Sequence, residues 1–110
     1  MKLVKRDEGV EFEAKGQFRC FGVNKVALGK DTRRLSIGSS IFLPSGYAET
    51  QSSSKERAYY VLSGSLEVKG KNQYYVASPG DLVYVAAGEE RALKVVGIAP
   101  ATVIVIVVDI

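Results

Sequence analysis

Two blocks of sequence decide the fold. They are Gly46-Tyr-Ala-Glu-Thr-Gln-Ser-Ser-Ser-Lys-Glu-Arg-Ala-Tyr-Tyr-Val-Leu-Ser-Gly64 and Pro79-Gly-Asp-Leu-Val-Tyr-Val-Ala-Ala-Gly-Glu-Glu-Arg91. In the first, a serine-rich polar run gives way to an apolar strand over residues 58–62, which stops at the turn Ser63-Gly64. Tyr and Val suit a pleated, half-buried surface, and Ser-Gly is turn chemistry. In the second, Pro79-Gly80-Asp81 makes a tight turn before a strand over 82–85. Gly88-Glu89-Glu90 then turns the chain into a strand over 91–95. Asp81 reads as a turn residue whose side chain bonds nearby backbone.

Outward from these blocks the pattern is the same. Towards the N-terminus, residues 10–12 read as a short strand and 17–28 as one or two strands, with Gly22 as a bulge or bend. Gly29 to Arg33 is a polar turn. Residues 35–43 form a strand in which the small residues Ser36, Gly38 and Ser40 alternate and share one face. Pro44-Ser45-Gly46 is expected to turn the chain. Between and beyond the blocks lie strands over 65–68, 73–76 and 102–108, with Lys69-Gly-Lys-Asn72 as a hairpin tip and Gly97 to Pro100 as a turn. About ten short strands at close spacing, with no helical stripe, predict an all-β chain closed as a sandwich or barrel. The last strand, Thr102 to Val108, is apolar on both faces, so either it is covered on both sides within one chain or its outer face packs against a second subunit.

The glycine spacing and the strand lettering of the two blocks resemble the paired motifs of the cupin family. That resemblance implies a small antiparallel jelly-roll β-barrel without substantial helix. It makes residues 1–110 a single domain whose motif-bearing core spans about 35–108. In many cupins the first motif carries two histidines and a glutamate ahead of its last glycine, and the second carries a further histidine. Here the glutamate position, seven residues before Gly64, is Arg57, and the two histidine positions are Gln51 and Ser53. The last histidine position is Arg91. The chain contains no histidine at all. Transition metals favour imidazole, thiolate or carboxylate donors, whereas arginine is a cation with donors only. The expectation is therefore no metal and no other cofactor. Glu56 lies beside Arg57, but a one-residue slip would turn the following apolar residues to the wrong face.

With Arg57 inward, period two sends Tyr59 and Val61 inward and Tyr60 outward. Arg91 is expected from the neighbouring strand, and Glu49, Gln51 and Ser53 from the rim on the same face. The guanidinium fork of Arg57 and Arg91 suits a carboxylate or phosphate. Gln51 and Ser53 would add hydrogen bonds, and Glu49 and Tyr59 form the acid–base pair that an enzyme would need. The alternative is structural, with Glu49 or Glu56 neutralising the arginines inside a filled barrel.

Composition narrows the partners. The net charge is +3, with the fifteen Lys and Arg scattered rather than clustered, which argues against nucleic acid. Cys20 is the only cysteine; it rules out an internal disulfide and reads as a structural thiol. The N-terminal residues lack the apolar core of a signal peptide, and no apolar run approaches the roughly twenty residues of a membrane helix. A cytoplasmic homodimer that binds a small anionic molecule is expected. Three classes stay open: a metal-independent isomerase, epimerase or lyase; a non-catalytic module that binds or senses a ligand; and a structural subunit.

Overall fold

Alternating apolar residues broken by turn glycines give nine strands and no helix in the computed structural model, which describes Met1–Ile110. The strands are β1 (Val10–Phe12), β2 (Gln17–Val26), β3 (Leu35–Gln51), β4 (Glu56–Ser63), β5 (Leu66–Lys69), β6 (Tyr74–Ala77), β7 (Leu82–Val85), β8 (Arg91–Val95) and β9 (Ala101–Val108). All pairings are antiparallel. The ladder runs β6-β5-β8-β3-β9-β4-β7, with β2 also on β3 and β1 on β2.

β3 is the seam of this nearly closed, jelly-roll barrel. Its first half pairs with β9 from Leu35↔Val108 to Phe42↔Ala101. Its second half pairs with β8 through Tyr47↔Lys94 and Ala48↔Leu93. Pro44-Ser45-Gly46 therefore does not end the strand, as the sequence suggested, but bends it from one sheet into the other. β2 follows the bend on the outside, and its pairing jumps from Phe18↔Tyr47 to Cys20↔Phe42. Arg19 and Ser45 take up positive φ angles of 52° and 69° there. The Arg19 Nε donates to the Pro44 carbonyl at 2.8 Å. A Cβ at Gly46 would lie 2.6 Å from the Arg19 carbonyl oxygen, so only glycine lets the two backbones approach this closely.

The bends in β2 thus lie at Arg19 and just after Asn24, and Gly22 keeps regular register opposite Ser40. The missing Cβ of Gly22 serves another purpose: the Phe12 ring occupies that space. The expected polar rim strand is divided. Tyr47 to Gln51 end β3, and Glu56 starts β4.

Period two fixes the interior. Phe42, Val61, Leu66, Leu93 and Val103 are fully buried and close one end of the barrel. Cys20 packs against this core, and burial pushes its thiol up to about 11, against the opposing pull of a hydrogen bond with Ser40. A thiol held protonated at neutral pH is a poor nucleophile, as expected of a structural cysteine. Asp81 caps its turn by accepting from the Ser78 amide at 2.8 Å.

Gly64 holds φ at +72° and lies against the backbone of Pro100 and Ala101. Gly64→Ala should cost about 2 kcal/mol or more, from strain and backbone collision together. A urea titration is expected to show the midpoint falling with an unchanged slope.

Candidate functional site

The half of the barrel away from the packed end holds a cavity of about 290 Å³. The ladder register places its walls. Across the inner surface Arg57 of β4 stands beside Val107 of β9, which stands beside Ser36 of β3. One row deeper, Tyr59 stands beside Val105, then Gly38, then Asn24 of β2. Arg91 comes from β8 in the opposing sheet. β8 is not a ladder neighbour of β4, contrary to the sequence expectation, so the two arginines approach across the interior. The small residues Ser36 and Ser40 leave room between the walls, and Gly38 between them lets the β2 backbone approach closely. Their alternation in the sequence was the signal that a cavity borders β3.

Both arginines are deeply buried, Arg57 at 7% and Arg91 at 5% exposure. Arg91 is held by two acceptors. Its Nε donates to the Tyr59 hydroxyl at 2.9 Å and its Nη1 to the Glu49 carbonyl at 2.9 Å. Its guanidinium carbon also lies 5.9 Å from the centre of the Tyr59 ring. Arg57 is held by less. Its Nη2 donates to the Glu89 carbonyl at 3.0 Å, while its buried Nε–H has no acceptor. Burial pulls the Arg57 guanidinium below its ordinary value; Tyr59 and Glu89 oppose this and Arg91 adds to it by like-charge repulsion.

No carboxylate forms a salt bridge with either arginine. The Glu56 carboxylate accepts from the Tyr84 hydroxyl on the outer face, so the register with Arg57 inward holds. Glu89 turns its carboxylate to the Ala86 amide, 3.0 Å away. The ion pair in the molecule joins Lys2 and Asp31, 3.1 Å apart, at the surface. Lys55 adds a third cationic side chain to the cavity lining, and the lining contains no Asp or Glu.

Of the six site residues expected from sequence, Arg57, Tyr59 and Arg91 line this cavity. Glu49, Gln51 and Ser53 do not. Ala48 is the buried residue of that segment, so alternation turns Glu49 outward, and only its carbonyl reaches Arg91. A register shift between Ala48 and Gln51 then breaks strict alternation. Gln51 points its amide to the Lys15 carbonyl at 2.7 Å. Ser53 uses its hydroxyl on the Lys55 amide, at 3.1 Å, and its carbonyl on the Gly88 amide. The sequence reading also did not assign Asn24, Ser36, Ser40, Lys55 and Phe12 to the site; all five line the cavity.

The family model of the cupin domain matches residues 41–107. The chain belongs to the cupin family. No curated protein matches it in sequence. Among solved structures, it is similar to the polyketide cyclase RemF from Streptomyces resistomycificus, with TM-score 0.84, 17% identity, and coverage of 98% of this chain and 79% of that one. It is similar to KdgF from Halomonas sp., with TM-score 0.82, 15% identity, and coverage of 99% and 95%. A predicted oxalate decarboxylase from Thermotoga maritima gives TM-score 0.80 and 12% identity, over 99% and 100% of the two chains. At these identities the likeness is one of fold.

Cupin barrels commonly hold a metal through histidines and a glutamate. The donors facing this cavity are guanidinium, ammonium, phenol, amide and hydroxyl groups. No three His, Cys, Asp or Glu side chains converge anywhere in the structure. That donor set does not fit a divalent transition metal, because the cations present have hydrogens to donate and no lone pair to offer.

Tyr59 is the acceptor that keeps the Arg91 Nε satisfied. Tyr59→Phe should therefore leave a buried charged donor unpaired, at a cost of about 1–3 kcal/mol. Thermal unfolding is the measurement, and an unchanged melting temperature would show that Arg91 finds another partner.

Proposed function

We propose that the barrel binds a small anionic molecule, without a metal, on Arg57 and Arg91. One observation carries this reading: two buried guanidinium groups share a cavity with no carboxylate to balance them. A buried charge left uncompensated costs several kcal/mol, and an anion from solution supplies the missing partner. The Arg57 Nε–H, buried and without an acceptor, leaves this guanidinium short of partners, so a counter-charge at its cavity-facing end is favoured. The three cationic side chains of the lining attract such a molecule at range.

Turnover of the bound anion is a second reading, and Tyr59 favours it. Its hydroxyl oxygen accepts from Arg91, so its own hydrogen is left to donate to a ligand. That is the acid of an isomerase, epimerase or lyase. Glu49, turned outward, is not its base. A sensing or storage module needs the arginines alone.

A thermal-shift series with small carboxylates and phosphates tests the proposal. A ligand at about 100 times its Kd stabilises by about 2.7 kcal/mol, or roughly 10 °C in a domain of this size. Arg57→Met should keep its melting temperature without anion, since it removes an unpaired buried charge, and should lose the shift. An anion that stabilises wild type and Arg57→Met equally would refute the site. Any turnover should vanish in Tyr59→Phe while the shift remains.

We also propose that two copies pair in the cytoplasm through the outer face of β2, β3, β9, β4 and β7. The ladder aligns Phe21 with Ile41, and Ile104 with Tyr60 and Leu82, across that face. Phe21 is 64% exposed and Leu82 55%. The outward residues of β9 are all uncharged, and Glu56 beside them is already bonded to Tyr84. A mostly apolar face whose carboxylate is already bonded suits a second copy of itself better than water. Sedimentation is expected to give twice the 11.9 kDa of one chain. Tyr60→Lys should return the single-chain mass.

A further inference from the structure

The anion is only one end of the ligand, and the rest of the cavity describes the other end. From Arg57 the wall passes to Val107, and from Tyr59 to Val105. Beyond β9 lies the space over Ser36, Gly38 and Ser40, and the Phe12 ring overhangs it, seated where Gly22 has no side chain. Phe42 and Leu93 belong to the buried core and line the same space. Opposite the guanidinium groups, then, the cavity offers rings and branched aliphatic carbon.

Part of the polar capacity on that side is already used. The Ser36 hydroxyl accepts from the Leu28 amide at 2.8 Å. The Gln17 amide oxygen accepts from the Cys20 thiol at 3.4 Å. The Asn24 side-chain amide and the Gln17 amide nitrogen remain free on this wall. A sugar acid brings a hydroxyl on nearly every carbon, more than these few groups among Val105, Val107, Phe42, Leu93 and the Phe12 ring can pair. A volume of 290 Å³ is that of about ten waters in the liquid, at the small end of ligand pockets.

Resting on the anion reading above, we infer that the barrel takes a small monocarboxylate with an apolar, ring-sized body. The carboxylate lies on Arg57 and Arg91, and the body lies on Val105 and Val107 under the Phe12 ring. Arginine sets the charge requirement and Phe12 the preference for the body, so the two are separable by mutation.

The test uses the full chain and measures affinity by calorimetry for acetate, butyrate, phenylacetate, glucuronate, inorganic phosphate and benzyl alcohol. Affinity should rise from acetate to phenylacetate by roughly fourfold for each methylene buried. Glucuronate and phosphate should bind no more tightly than acetate. Phe12→Ala should lose at least tenfold in affinity for phenylacetate and leave acetate within about twofold. The wild-type series stands without the variant, should Phe12→Ala fail to fold. Glucuronate or phosphate binding more tightly than phenylacetate, with dependence on Arg57, would overturn the inference and leave the anion reading standing. Benzyl alcohol binding as tightly as phenylacetate, with Arg57→Met equal to wild type, would overturn the anion reading itself. No binding by any of the six would overturn both.

Discussion

The bend in β3 is the constraint on which the rest of the molecule depends. A straight strand would keep β9 and β8 on one flat sheet, pairing along the same line. Because the chain turns between Phe42 and Tyr47, the sheet folds over and the inner residues of β4 face those of β8. Gly46 makes the bend sterically feasible, and the Arg19 side chain ties the Pro44 carbonyl on its outer side. The meeting of Arg57 and Arg91 in one cavity is a consequence. Neither residue is near the bend, yet their approach requires it.

The fold was legible because it is written in turns and alternation. The glycine of Ser63-Gly64 sits at positive φ against the Pro100 backbone, so its identity reports a real steric demand. The Pro-Gly-Asp turn closes with the side-chain bond that aspartate favours. The inward run Arg57, Tyr59, Val61 followed from period two, because β4 pairs regularly with β7 and β9 over that stretch. The turn expected at Pro44 failed for the opposite reason. Proline and glycine mark a departure from regular backbone, and a bulge inside a strand is as good a departure as its end.

The site was legible where register was regular and lost where it slipped. Counting in twos from Arg57 back through the polar rim carries no warning of the shift between Ala48 and Gln51. The rim side chains then found other partners, Gln51 on Lys15 and Ser53 on Lys55. Phe12 and Lys55 escaped notice for a different reason. Their place in the cavity depends on how β1 and the β3–β4 connection lie over the barrel, and no local periodicity encodes that.

The electrostatics bear on the choice between a ligand site and a filled barrel. A structural network of buried charges closes on itself, since each unpaired member costs more than an apolar replacement of the same volume. This one is closed on one side only. Arg91 is braced by a phenol and a carbonyl, so its direction is fixed. Arg57 has a single carbonyl acceptor, an unpaired Nε–H and a like charge near it. Acceptors were within reach of evolution: Glu56 and Glu89 flank the same region, yet Glu56 bonds Tyr84 and Glu89 bonds the Ala86 amide, and neither forms a salt bridge with a guanidinium group. A barrel selected for stability alone would have turned one of them inward, or exchanged Arg57 for an aliphatic side chain to continue the wall of Val107 and Val85. The unpaired half of the network is the observation on which the anion proposal rests.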